Sequence, residues 1–160
     1  MEKVIIYTDG SSRGNPGPGG WGTIIMSTER VKEIGGREGH TTNNRMELRS
    51  VIEGLRMISG SKAITVCADS EYVVKGITQW INGWIAKGWR TTAKKAVLNQ
   101  DLWQELLLVT QGKNISWQVV KGHAGVKENE RADVIATSFA EKIPVDLYDG
   151  PRKGWAPSFL

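Results

Sequence analysis

The chain has 160 residues, 39% of them hydrophobic and 24% charged, which is the size and make-up of one globular domain with its own core and excludes a disordered, collagen-like or membrane-spanning chain. Lys and Arg number 21 and Asp and Glu 17, a formal charge of +4. Five of the cations (Lys75, Lys87, Arg90, Lys94 and Lys95) and none of the acids fall between Tyr72 and Gln100, so this segment carries +5 and the rest of the chain −1.

Val4 to Tyr7 is a continuous apolar run. It has the pattern of a strand buried on both faces and is too short for a signal peptide or a membrane span. Asp9 stands just past its end, and Gly10 to Gly20 is turn material. Trp21 to Met26 and Val31 to Ile34 read as two further strands, paired as a hairpin. Asn43 or Asn44 caps a helix whose stripe is Leu48, Val51, Ile52, Leu55 and Ile58, with Glu47 in its first turn and Gly60 as its end. Ile64 to Ala68 is a fourth strand, with Asp69 just beyond it. Cys67, within that strand, is the sole cysteine. It excludes an internal disulfide and a Cys-cluster zinc site, and it suits a reducing cytoplasm.

The basic segment from Tyr72 reads as helix, broken near Gly76 and again at Gly88. A helix from about Asn99 to Thr110 carries Leu98, Leu102, Leu106 and Val109 on one face. Ile115, Trp117 and Val119 alternate with polar residues as a fifth strand. A last helix from about Lys127 to Lys142 has Ala132, Ile135, Ala136, Phe139 and Ala140 as its stripe, with Asp133 bordering it. The tail from Pro144 has three prolines and no periodicity; Trp155 and Phe159 give it apolar groups that could dock on the body.

This order predicts an α/β fold: a five-stranded mixed sheet, its first three strands antiparallel and strands one, four and five parallel, with helices on both faces. Right-handed crossover puts the carboxyl ends of strands one and four on one edge, where such sheets bind ligands. Asp9 and Asp69 then lie side by side, with Glu47 and Asp133 at the margin of the same core. Singly, each has a plain reading as a turn residue, a dipole partner, an N-cap or a solvated face residue. Together they repel: two unit charges 4 Å apart cost about 4 kcal/mol at an effective dielectric of 20. A fold tolerates that only if protons or a cation join them. Oxygen-only ligands favour Mg²⁺ or Mn²⁺, and two such ions would clamp the attacking and leaving oxygens of a phosphoryl transfer.

The motifs Tyr7-Thr8-Asp9-Gly10-Ser11, Thr42-Asn43-Asn44-Arg45-Met46-Glu47-Leu48, Asp69-Ser70, Val120-Lys121-Gly122-His123-Ala124-Gly125 and Asn129-Glu130-Arg131-Ala132-Asp133 make the chain resemble the bacterial type 1 ribonuclease H family. The likeness runs from about Lys3 to Lys142. It implies a catalytic domain over residues 1–143 that includes a basic handle at about 72–100, and a tail, 144–160, of undetermined role. It implies cleavage of the RNA strand of RNA–DNA hybrids to 5′-phosphate and 3′-hydroxyl ends, with Asp9, Glu47, Asp69 and Asp133 holding two Mg²⁺ ions, for which Mn²⁺ substitutes. His123 would move protons or help the product leave. A monomer without membrane attachment is expected.

The 2′-hydroxyl is the backbone handle that tells RNA from DNA. Asn15, Asn43 and Asn44 donate and accept hydrogen bonds and lie next to Asp9 and Glu47 in the chain; the resemblance places them on the RNA strand. It places Thr42 on a DNA phosphate and Trp80 on a DNA sugar, and Lys87, Lys94 and Lys95 among the phosphate contacts of the handle. Trp84 and Trp89 read as core residues. Glu71 stands where the family usually has a glutamine that contacts RNA, Ile85 and Ala86 replace lysines common in the handle, and Val134 stands where an acid is frequent.

Other functions fit less well. A transposase, integrase or resolvase usually needs extra DNA- or zinc-binding regions, which one Cys and two His do not build. A non-catalytic nucleic-acid binder leaves four acids unexplained beside a polyanion. Gly17-Pro18-Gly19-Gly20-Trp21-Gly22 fits a dinucleotide-binding fingerprint, but such a motif opens a helix, and this one holds a proline and leads into a strand.

Overall fold

Residues 1–120 and 126–157 are described in a computed structural model. The apolar run at Val4 lies within β1 (Glu2–Ser12), which pairs antiparallel with β2 (Gly17–Met26) and parallel with β4 (Lys62–Ala68). β3 (Arg30–Thr41) continues the antiparallel meander beside β2, and β5 (Asn114–Val119) lies parallel to β4. These five strands have the expected directions. The strands are longer than their apolar runs because the polar ends of β1, β2 and β3 keep pairing past the core, to Ser12 and Thr41.

A sixth strand corrects the expected count of five. In the tail, β6 (Asp149–Pro151) adds antiparallel to the outer edge of β3, giving the order β5-β4-β1-β2-β3-β6. Three residues are too few to show a period, and proline is tolerated on an edge strand. Trp155 is buried, so the tail docks on the body; Phe159 lies outside the described residues.

Strand alternation gives the sheet two apolar faces. Val4 and Ile6 face α1 (Asn43–Arg56), whose Leu48, Val51, Ile52 and Leu55 are fully buried, and behind it α4 (Gln100–Thr110) adds Leu102, Trp103 and Leu106. Ile24, Met26 and Val31 face α5 (Lys127–Ala140) through Ala132 and Ile135. Gly22 permits that second contact: a Cβ there would lie 2.5 Å from the Ala132 carbonyl oxygen, so a residue with a side chain would push α5 off the sheet.

Three local expectations are corrected. Thr42, not Asn43 or Asn44, caps α1, its hydroxyl accepting from the Arg45 N–H; the helix therefore starts at Asn43, and Glu47 lies in its second turn. The basic segment does not break at Gly76. Instead α2 (Glu71–Lys75) widens into a π-helical turn (Gly76–Trp80) and continues as α3 (Ile81–Ala86) before Gly88, at φ +66°, ends it. Leu98 precedes α4 and is exposed; Trp103 takes the inward place, with its indole N–H donating to the Tyr72 hydroxyl at 3.1 Å.

Gly22→Ala should therefore destabilise the protein by about 1–3 kcal/mol, the range for overpacking a tight core. A fall in the urea midpoint with an unchanged denaturant slope would show it.

Candidate active site

The parallel ladder between β1 and β4 ends at the pair Thr8–Ala68, and the next residue on each strand is an aspartate, Asp9 and Asp69. Asp69 falls just past β4 as expected. Asp9 does not end its strand: it stays paired with Gly22 across the hairpin. Both carboxylates thus sit where parallel pairing stops, the ligand edge of such a sheet. The cap of α2 is taken by Ser70, whose hydroxyl accepts from the Val73 N–H, so capping does not consume the Asp69 carboxylate.

Glu47 reaches this edge because Gly10 has no side chain. A Cβ at Gly10 would collide with the Glu47 and Met46 backbone, so the second turn of α1 rests directly on β1. Asp9, Glu47 and Asp69 each offer a carboxylate oxygen, and the three oxygens lie within 4.8 Å of one another. Asp9 is 3% and Glu47 8% exposed. Burial holds the Glu47 carboxyl well above its ordinary range; the charge of Asp9 and its side chain push it further, Asp69 adds to this, and the Gly10 N–H acts against it. Glu47 Oε2 is sealed from solvent with no hydrogen-bond donor on it. A buried, donor-poor oxygen among converging carboxylates fits a hard divalent cation, which would satisfy the oxygen and cancel the repulsion.

The structure brings together three of the four expected acids. Asp133 is exposed and lies outside the cluster. The expectation that it borders the buried face is corrected: α5 turns Arg131, Ala132, Ile135 and Ala136 inward, and Asp133, 100° of rotation beyond Ala132, falls outside that stripe and is exposed. Its neighbour Ala132 packs on Gly22, the cross-strand partner of Asp9, so the helix sets Asp133 down at the same end of the sheet. His123 lies outside the described residues.

Around the acids, Asn43 Oδ1 accepts from the Ser12 N–H at 2.7 Å, and the Asn43 N–H donates to Asn15 Oδ1 at 3.4 Å. Turn and helix start are thereby tied together, with Asn15 and Asn43 exposed and Thr42 and Asn44 half-buried. Glu71 pairs with Lys75 at 3.4 Å, one helical turn on, a partner that the i, i+4 spacing would have signalled. On the handle, Trp80 is 38% exposed and rests between Tyr72 and Trp84, with centroids 6.1 and 6.0 Å away. Trp84 and Trp89 are half-buried against the core, as expected. Lys87, Lys94 and Lys95 are exposed. Lys87, Lys94 and Arg90 line an open cleft of about 580 Å³. Sequence reasoning passed over Arg131, which is buried against Glu33 on β3.

Comparison with known proteins places this geometry. The family model described as RNase H matches residues 1–141. A protein of Polaromonas naphthalenivorans (strain CJ2) named Ribonuclease H is 53% identical over 143 residues, 88% of this chain and 89% of that protein. One of Cupriavidus necator with the same name is 50% identical over 143 residues, 89% and 99% of the two chains. Among solved structures, LC9-RNase H1, described as a type 1 RNase H with the type 2 active-site motif, superposes with a TM-score of 0.82 at 33% identity, covering 94% of this chain and 78% of that one. RNase H1 from the halophilic archaeon Halobacterium salinarum NRC-1 gives 0.62 at 28% identity, covering 88% and 98%.

Folding raises the Glu47 carboxyl, so the native state keeps a proton that the unfolded chain releases. That contribution is complete below the ordinary value of 4.5 and is lost as the pH rises through the folded one. In chelator at pH 7, Glu47→Gln should stabilise the protein by about 1–3 kcal/mol, because the amide it introduces donates to Asp9 where a second charge would be buried. The gain should vanish below pH 4.5 in denaturation curves taken across pH.

Proposed function

The chain belongs to the ribonuclease H family, and from that premise we propose that Asp9, Glu47, Asp69 and Asp133 are its catalytic acids. The chain is an endoribonuclease that hydrolyses the RNA strand of RNA–DNA hybrids, leaving 5′-phosphate and 3′-hydroxyl ends. One observation carries the site assignment: three carboxylate oxygens within 4.8 Å of one another at the end of the β1/β4 ladder, with a Glu47 oxygen short of a donor.

Asp9, Glu47 and Asp69 would hold divalent cations, with Asp133 closing the set from α5; the ions we assign are two Mg²⁺, with Mn²⁺ as a substitute. When bound, such ions lower the pKa of water and neutralise charge on the attacking and leaving oxygens. The acids' own part is to fix the direction from which the scissile phosphate can enter. Buried where α1 rests on β1, Glu47 has no freedom to swing away. Asp9 is held by strand pairing on one side and by its Gly10 N–H bond at 2.8 Å. His123 serves the proton transfer or the departure of the product.

Asn15, Asn43 and Asn44 read the RNA strand, and Glu71, two residues past Asp69, lies beside that strand. Asn15 and Asn43 already spend their Oδ1 atoms on backbone N–H groups. Their amide NH₂ groups are therefore turned to act as donors toward ribose oxygens. Thr42 and Trp80 engage the DNA strand, and Lys87, Lys94 and Lys95 its phosphates. Residues 1–143 form the catalytic domain, with the handle at about 72–100 and the tail at 144–160. Among the described residues, no helix is long and apolar enough to cross a membrane; we assign the protein to the cytoplasm, as a monomer.

Asp9→Asn and Asp69→Asn should each lower hybrid cleavage about 1000-fold or more, the loss of several kcal/mol of transition-state stabilisation, while hybrid binding persists. Chelator should abolish cleavage, and Mg²⁺ or Mn²⁺ restore it. Cleavage retained by either variant removes the assignment.

A carboxylate at Glu71 cannot donate to RNA and repels phosphate. Glu71→Gln should tighten hybrid binding about 2- to 10-fold, the worth of one hydrogen bond. Equilibrium titration with labelled hybrid measures this, and unchanged affinity would mark the position as idle.

A further inference from the structure

Glu33 occupies an inward position on β3, beside Val31 and paired with Ile24 on β2, where alternation calls for an apolar side chain. It is 3% exposed and accepts four N–H donors: Arg131 Nε at 2.9 Å and Nη2 at 3.0 Å, the Tyr148 backbone at 3.0 Å and the Trp155 indole at 2.9 Å. Arg131, 6% exposed, also donates to the Asp146 carbonyl at 2.9 Å. The tail thus supplies two of the four donors on Glu33 and one acceptor for Arg131. It holds α5 at two more points: the Lys127 ammonium lies 5.4 Å from the Trp155 ring centroid, and the Val145 N–H donates to Ser138 Oγ at 3.2 Å. The residues that do this lie past 141, where the family match ends.

A buried ion pair holds its geometry only when its remaining hydrogen-bonding capacity is met; opened to water, it contributes little. The tail therefore decides how firmly Arg131 ties α5 to β3. Asp133 stands two residues beyond Arg131 in the middle of the same helix, next to Ala132, which packs on the cross-strand partner of Asp9. We propose that the tail is a clasp on α5, in which Asp146, Tyr148 and Trp155 complete the Glu33–Arg131 pair and that pair positions Asp133 at the catalytic centre. Glu33, Arg131 and Trp155 are positioning residues; none touches the substrate. The proposal rests on the reading of Asp133 as a catalytic acid.

Three full-length variants test it, each assayed at a temperature where circular dichroism shows it folded. Trp155→Phe keeps most of the packing and removes one donor from Glu33. It should lower kcat on hybrid in saturating Mg²⁺ roughly 10-fold, as loss of a supporting hydrogen bond does at metal sites, with KM unchanged. Amide hydrogen exchange between Glu130 and Val134 should quicken about 10-fold while that of α1 stays as in the parent, which a general loss of stability would not produce. Either parental kcat or parental exchange in α5 overturns the clasp. Glu33→Gln should show the same split more strongly; should it fail to fold, Trp155→Phe decides alone. Asp133→Asn separates the premise: full activity there sinks the reading of Asp133, whereas an inactive Asp133→Asn beside a fully active Trp155→Phe sinks the clasp.

Discussion

Mutual repulsion among Asp9, Glu47 and Asp69 is the constraint around which the molecule is arranged. Carboxylates with oxygens within 4.8 Å of one another, two of them buried, oppose the folded state. What holds them there is packing on both sides of β1. On one face Ile6 lies under Leu48, Val51, Ile52 and Leu55; on the hairpin beside it, Ile24 lies under Ala132 and Ile135. Each fully buried aliphatic side chain contributes about 1.5–3 kcal/mol, so a few of them outweigh one close charge pair, at about 4 kcal/mol. The strain is thus stored in a rigid frame, and a proton or a metal cation would relieve it.

The same frame separates two electrostatic tasks. The acids lie at the end of the parallel ladder, whereas Lys87, Lys94 and Lys95 lie in the turns beyond a helical arm braced by aromatic rings. Tyr72, Trp84 and Trp103 lock α2, α3 and α4 together, with centroids 5.3 Å apart in both the Tyr72–Trp103 and Trp84–Trp103 pairs. Bases for α4 come from α1: Arg45 pairs with Asp101 at 2.7 Å, and Arg49 with Glu105 at 2.9 Å. A cationic arm can grip phosphates at a set distance from the acids only if its root does not bend. The π turn at Gly76–Trp80 lies within that root, where α2 passes over Trp103.

The sheet and the three-acid core were legible in the sequence because they rest on periodicity and strand ends. An apolar run followed by an aspartate, twice brought into parallel register, leaves little choice of where Asp9 and Asp69 go. Glu47 was legible as a core-margin residue, but its turn was not. The caps Thr42, Asn43 and Asn44 stand in a row, and only the hydrogen bond from the Arg45 N–H selects Thr42. Asp133 was harder, because one residue of helix is 100° of rotation and the apolar stripe of α5 does not say which edge of it faces solvent. In the tail only the docking of Trp155 was legible: its three-residue strand has no period, and the partners that order it, Glu33 and Arg131, are 98 residues apart.

Two buried glutamates show how the structure distinguishes a compensated carboxylate from an uncompensated one. Glu33 and Glu47 are both nearly inaccessible, on a strand and a helix that face the core. Glu33 is given four N–H donors, two of them from the Arg131 guanidinium, and so its charge is compensated in place. Glu47 is given two aspartates as neighbours and no donor on Oε2, and so is stable only when a proton or a cation arrives. Burial is the same in both, and neither burial nor residue type separates them in the sequence. The difference lies in what the chain supplies around the charge: complete compensation where the fold needs a fixed anchor, and a deficit left open where a positive ligand must enter.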